Sequence, residues 1–331
     1  MNNKFLISID SGKAYTKGVI RNGDGIIDKV LFRTKVAEVS GGMGVEVLSQ
    51  SDSYLVEYDG KTYLIGDMLS EDRSNYDFTK QTNDHLICIY LAITKLLEKS
   101  IQSHALAKID LAVNIPLSLY KNEVKKKEFE EFIRNEGKVI GIAVNQVPYS
   151  FSINSILLLP EAMGPIYKNM SEYRGNRVLV IDVGSLNTSI LEFNRLVPQF
   201  DRMVVSTLGI NILRSTLAES LSSHYGITIS DDDTEQVLRE KYLYLYGEKQ
   251  KESYNIIETV ITDHVMRIFN YAKSRKITFA NTNVILCGGG AILLKEYLLN
   301  KFPSAKIVPD AQFANVLSFY QVLEAKDNGK S

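Results

Sequence analysis

The feature that most constrains this chain is a short device that occurs twice. Residues Phe5 to Ile9 form an apolar, β-prone run that breaks at Asp10-Ser11-Gly12-Lys13 and resumes as strand over Thr16 to Ile20. Near the middle of the chain, Val178 to Ile181 is again apolar, breaks at Asp182-Val183-Gly184-Ser185, and resumes over Thr188 to Phe193. Either copy alone reads as an ordinary hairpin turn. Two copies in matched surroundings point to an internal duplication, and so to two halves on one plan. At 331 residues the chain exceeds the size at which a single core usually stops growing.

The turn has a definite chemistry. Glycine lets successive backbone N–H groups converge on an anion such as phosphate. Ser11 and Ser185 add hydroxyls, and Asp10 and Asp182 can hold a metal ion or its waters. A third glycine cluster, Gly288-Gly289-Gly290, follows the apolar strand Asn283 to Cys287 and precedes a helical pattern from Ala291 to Asn300. Close backbone approach and a helix N-terminus there also favour an anion.

Charge narrows the partners. The formal net charge is -1, and Lys125-Lys126-Lys127 is followed by Glu128, Glu130 and Glu131, which reads as a salt-bridged exposed helix. Neither direct nucleic-acid binding nor a membrane is expected. Cys88 and Cys287 lie in apolar runs and read as buried free thiols in a reducing compartment. The N-terminal apolar stretch is short for a signal peptide, so a cytoplasmic location is expected.

At these residues the sequence resembles the actin, sugar-kinase and heat-shock chaperone ATPase superfamily, and within it the bacterial ParM/StbA-type plasmid-segregation actins. The resemblance runs in order through Asp10-Ser11-Gly12 with Lys17, Pro160-Glu161, Asp182-Val183-Gly184, Leu208-Gly209 and Gly288-Gly289-Gly290. It implies an α/β, two-domain actin-like fold of duplicated ribonuclease H-like halves, with an interdomain nucleotide cleft. Domain I would comprise residues 1–160 and 313–331, with an insertion at about 29–80 that contains a hairpin at Asp59-Gly60. Domain II would comprise 161–312, with a helical insertion at about 211–270.

Carried over residue by residue, the resemblance implies that Lys17 contacts phosphate, with Asp10, Ser11, Gly12, Lys13, Gly184 and Ser185 around it. Asp10 and Asp182 would organise Mg²⁺ through water. Glu161, with Asp182, would carry catalysis by orienting the attacking water. Leu208, Gly209, Arg239, Glu240, Gly288, Gly289 and Gly290 would hold the adenosine. Ser189 stands where relatives often have aspartate or histidine. ATP is the implied nucleotide, with GTP as the alternative. The implied function is a filament-forming ATPase in plasmid partition, regulated by a ParR-like adaptor bound to centromere DNA. A small-molecule kinase of the same superfamily is the second reading.

Overall fold

The computed structural model describes residues 4–40, 51–71, 80–100, 106–168 and 170–329. They form two compact units, Met1–Lys168 with Asn315–Ser331, and Asn169–Ala314.

In the first unit, β1 (Lys4–Ser11) turns back as β2 (Tyr15–Arg21), and β2 pairs antiparallel with β3 (Ile27–Arg33). The short β4 (Val36–Glu38) precedes the hairpin of β5 (Ser53–Tyr58) and β6 (Lys61–Gly66). Its turn residues Asp59 and Gly60 have φ of 51° and 72°, as the Asp-Gly pair requires. Helix α1 (Asn83–Glu98) then leads to β7 (Ala107–Ile115), which runs parallel to β1. Helix α2 (Glu123–Arg134), β8 (Ile140–Val144) and β9 (Val147–Pro160) complete a nine-stranded sheet ordered β3-β2-β1-β7-β9-β8-β5-β6-β4.

The segment 29–80 is therefore not a separate insertion throughout. Its first residues belong to β3, and β4, β5 and β6 extend the main sheet, because β5 pairs with β8. Residues 41–50 and 72–79 of that segment lie outside the described residues.

Helix α1 explains how the sheet holds its crossover. Thr82 caps it by accepting from the His85 N–H, and its buried residues include Leu86, Ile87, Tyr90, Leu91, Ile93 and Leu97. Each such aliphatic side chain contributes about 1.5–3 kcal/mol by leaving water. On the other unit, β10 (Arg177–Val183) turns back as β11 (Thr188–Asn194), flanked by β12 (Val197–Pro198) and β13 (Val204–Ser206). Helices α3 (Ile210–Tyr225) and α4 (Asp231–Glu240) follow. The chain then forms the hairpin β14 (Leu243–Leu245) and β15 (Glu248–Gln250) before α5 (Ser253–Ser274). The expected helical insertion is thus interrupted by a small sheet.

Strand β16 (Asn283–Cys287) runs parallel to β10, and α6 (Gly289–Leu293) and β17 (Lys306–Ile307) follow. Helix starts at Gly289, earlier than the sequence pattern indicates, and a second short helix covers Lys295–Lys301. Each unit thus has a strand, a hairpin return, a crossover and a parallel strand beside the first. The C-terminal helix, Ala314–Asn328, packs Phe319 and Leu323 against Ala112 and Leu159 of the first unit. Arg21 binds Glu324 there through two nitrogens, at 2.7 and 3.0 Å. Both cysteines are buried and neither is in a disulfide. Among the described residues no helix is long and apolar enough to cross a membrane.

Candidate functional site

The two hairpins share one register. Asp10 stands opposite Lys17 and Ser11 opposite Thr16, while Asp182 stands opposite Ser189 and Val183 opposite Thr188. Each turn closes in the same way: the Gly12 N–H donates to the Tyr15 carbonyl at 3.1 Å, and the Gly184 N–H to the Asn187 carbonyl at 2.8 Å. The duplicated motif is therefore a duplicated backbone, with Asp10 equivalent to Asp182 and Gly12 to Gly184.

The first turn is set in a polar lattice. Lys17 Nζ lies 3.3 Å from Asp10 Oδ2, and both side chains are largely buried. A Cβ on Gly12 would be 3.7 Å from that same Nζ, so the amine stands over the turn's backbone. Ser11 Oγ is 3.4 Å from Thr16 Oγ1, which is 2.9 Å from Thr34 Oγ1. The Ser11 N–H donates to Asn114 Oδ1 at 3.1 Å, and Asn114 Nδ2 donates to Glu161 Oε1 at 3.1 Å. Lys80 Nζ reaches the same Oε1 at 2.6 Å. Burial holds His85 down to about 3, aided by Lys13 and Lys80, so its ring is neutral at pH 7. Its Nδ1 lies 2.8 Å from Thr82 Oγ1.

Glu161 is thus placed in the first unit, in the turn after β9 and ahead of the short helix Gly164–Lys168. Its carboxylate is held by side chains, not by a helix N-terminus.

The second turn lies among the glycine loops. Ser185 Oγ donates to Asn211 Oδ1 at 2.7 Å, and the Ile210 and Asn211 N–H groups donate to the carbonyls of Gly184 and Ser185 at 3.1 and 3.0 Å. Thr188 Oγ1 donates to the Leu208 carbonyl at 2.7 Å. A Cβ on Gly209 would stand 2.1 Å from the Ser185 oxygen, and one on Gly290 2.5 Å from Val183 Cγ1. Gly288, at φ 86°, leaves no room either: its Cβ would lie 2.4 Å from Asp182 Oδ1 and from the Val183 oxygen.

On the side that a Cβ would take, these three glycines let protein segments close on one another. Gly289 differs, because among the described residues its missing Cβ would approach only the Cγ of Gln312, at 4.0 Å. Arg239 and Glu240 are exposed on the last turn of α4, beside the buried Leu238. Sequence reading missed Asn114, Lys80 and Asn211. Asn114 carries a signal, being a polar residue inside the apolar run Leu111 to Ile115; Lys80 carries none.

The donors fit a nucleotide with Mg²⁺. An ammonium beside a glycine turn suits phosphate, and single carboxylates suit an ion that keeps its waters and binds chiefly to phosphate. Among the described residues there is no cluster of three or more His, Cys, Asp or Glu that would cage a metal directly.

Residues 8–164 match the family described as actin like proteins N terminal domain. Among solved structures, the Alp12 filament is 26% identical with a TM-score of 0.72, over 98% of this chain and 99% of that one. The archaeal actin homolog Ta0583 in complex with ADP is 18% identical, with a TM-score of 0.75 over 97% and 99%. A 15-stranded ParM filament from Clostridium botulinum is 18% identical, with a TM-score of 0.78 over 98% and 100%. No curated protein matched.

Proposed function

On the premise that this chain is an actin-like protein with the two-domain actin-like fold, we propose that it is an ATPase whose nucleotide state governs its assembly into filaments. The observation that carries the reading is the shared register of the two hairpins, which sets Asp10 and Asp182 at equivalent positions and gives only the first turn a lysine. The two domains would follow the two compact units, so that the boundaries expected at 160/161 and 312/313 would move to 168/169 and 314/315.

In this reading Lys17 and the backbone of the first turn hold phosphate, with Lys13 at its rim, and Gly184 and Ser185 serve the second turn. Asp10 and Asp182 hold waters of Mg²⁺, which neutralises phosphate charge. Glu161 orients the attacking water. Leu208, Gly209 and Gly289 line the nucleoside, with Arg239 and Glu240 at its edge. ADP is bound by the archaeal homolog, which supports a nucleotide here; ATP is our choice over GTP. Filaments of Alp12 and ParM support self-association. We extend the reading to plasmid partition in the cytoplasm, with a ParR-like adaptor on centromere DNA.

Assembly follows if ATP favours a subunit arrangement that the polymer also favours, since a ligand shifts an equilibrium by its difference in affinity for the two states. Light scattering across a protein series should give a critical concentration with Mg-ATP and a higher one with Mg-ADP. A protein that stays monomeric with every nucleotide while phosphorylating a small metabolite would establish the kinase reading instead.

A further inference from the structure

In the first unit a link runs from Ser11 through Asn114 to Glu161 and Lys80. Val113 pairs with Ile9 on the parallel strand, so Asn114 takes the place that Cys287, the partner of Asp182, takes in the other sheet. Two strands on one plan carry at this point a buried thiol in one unit and a fully buried amide in the other.

The amide's orientation is fixed by its partners. The Ser11 N–H is a donor, so the atom facing it is the oxygen; a carboxylate oxygen of Glu161 only accepts, so the atom facing it is the NH₂. Lys80, 8% exposed in its side chain, binds the same Oε1 from another segment. We propose that Asn114 is a positioning residue, which ties the backbone of the phosphate turn to Glu161 and, with Lys80, fixes the carboxylate that orients water. The inference rests on the ATPase reading and deepens it: a shift of the Ser11 N–H passes through one side chain to Glu161.

Asn114→Asp separates the two ends of the link. It keeps an acceptor for the Ser11 N–H but sets carboxylate against carboxylate at Glu161, unless the new group is protonated and donates. Turnover with Mg-ATP should fall at least tenfold at pH 7.5, and the ratio of variant to parent turnover should rise as pH is lowered to 5.5. A residue that only supports the fold would lower both rates in constant ratio. A second measurement needs no nucleotide: melting temperatures of the parent, Asn114→Ala, Glu161→Gln and the double variant form a cycle. The two losses should combine to less than their sum, by several degrees.

Additive melting shifts, or an Asn114→Asp ratio that does not change with pH, would overturn the proposal. Coupled melting shifts in a protein that neither binds nor hydrolyses ATP would overturn the ATPase reading, and with it the role in hydrolysis.

Discussion

The first and second turns have one backbone and different chemistries. Around Asp10 the chain places Lys17, Thr16, Asn114 and, through Asn114, Glu161 and Lys80. Around Asp182 it places Ser189, Cys287 and glycines that admit neighbouring loops. Duplication preserved the geometry that a strand–turn–strand imposes, because one misplaced residue would flip every side chain of the return strand. Side chains at the open end of the hairpin are free of that constraint. They diverged into a cationic, side-chain-built turn and a turn built by close backbone packing.

The comparison breaks most severely at glycine. Gly288→Ala adds a Cβ against Asp182 and the Val183 backbone at a positive φ, for an expected loss of about 3–5 kcal/mol. Gly12→Ala presses on the Tyr15 oxygen, at 2.8 Å, with Lys17 Nζ at an ordinary 3.7 Å and no positive-φ strain, and should cost about 1–3 kcal/mol. Denaturant midpoints measure both. Equal losses would mean that the second turn is no more dependent on close packing than the first.

Acid should act on both units alike. Burial lowers His264, on α5 of the second unit, to about 4, and both ring nitrogens lack a hydrogen-bond partner among the described residues. A lowered folded pKa means that the unfolded chain takes protons first. The stabilisation is full above about pH 6.5 and is lost as pH falls toward 4, at up to about 1.4 kcal/mol per pH unit. His85, in the first unit, behaves alike toward about 3. Between pH 7 and pH 5, His264→Leu should remove about 2 kcal/mol of the parent's stability loss. An unchanged loss would take His264 out of the account.

Lysine is the third lever. Lys17→Ser gives the first turn the residue of the second, and should weaken Mg-ATP binding at least tenfold, about 1.4 kcal/mol. Ser189→Lys should not repair that variant, because its site is buried and lies in the other unit. Calorimetric titration of both variants decides it; unaltered affinity in Lys17→Ser would remove the main asymmetry between the turns.

What could be read from sequence follows from range. The strand–turn–strand repeats, the Asp59-Gly60 hairpin, helix α1 and the exposed charged helix α2 are each determined within a few residues, by period and turn chemistry. Asp10, Gly12, Asp182 and Gly184 were visible for that reason. Lys80 reaches Glu161 across 81 positions, and Asn114 reaches Ser11 across 103. Such meetings depend on strand order, which local pattern does not encode. The glycines Gly209, Gly288 and Gly290 stand out locally, but the loops that press on their missing Cβ positions come from elsewhere in the chain.

The stretch from Tyr242 to Gln250, inside the helical insertion expected at about 211–270, departs from it for a related reason, and it gives the smallest effect. Strands β14 and β15 meet at Tyr246-Gly247, with φ of 52° and 82°, the same two-residue geometry as Asp59-Gly60 in the first unit. Asp-Gly advertises that turn because aspartate tolerates a left-handed backbone; Tyr-Gly does not, since a side chain there costs about 1–2 kcal/mol. Tyr246 is fully exposed, so no packing offsets the strain within the unit. Tyr246→Asn should therefore raise stability by about 0.5–1 kcal/mol, and Asp59→Tyr should lower it by a similar amount. The pair of melting shifts tests whether the two hairpins are energetically alike. A loss of stability in Tyr246→Asn would show that the tyrosine contributes more through its ring than its backbone conformation costs.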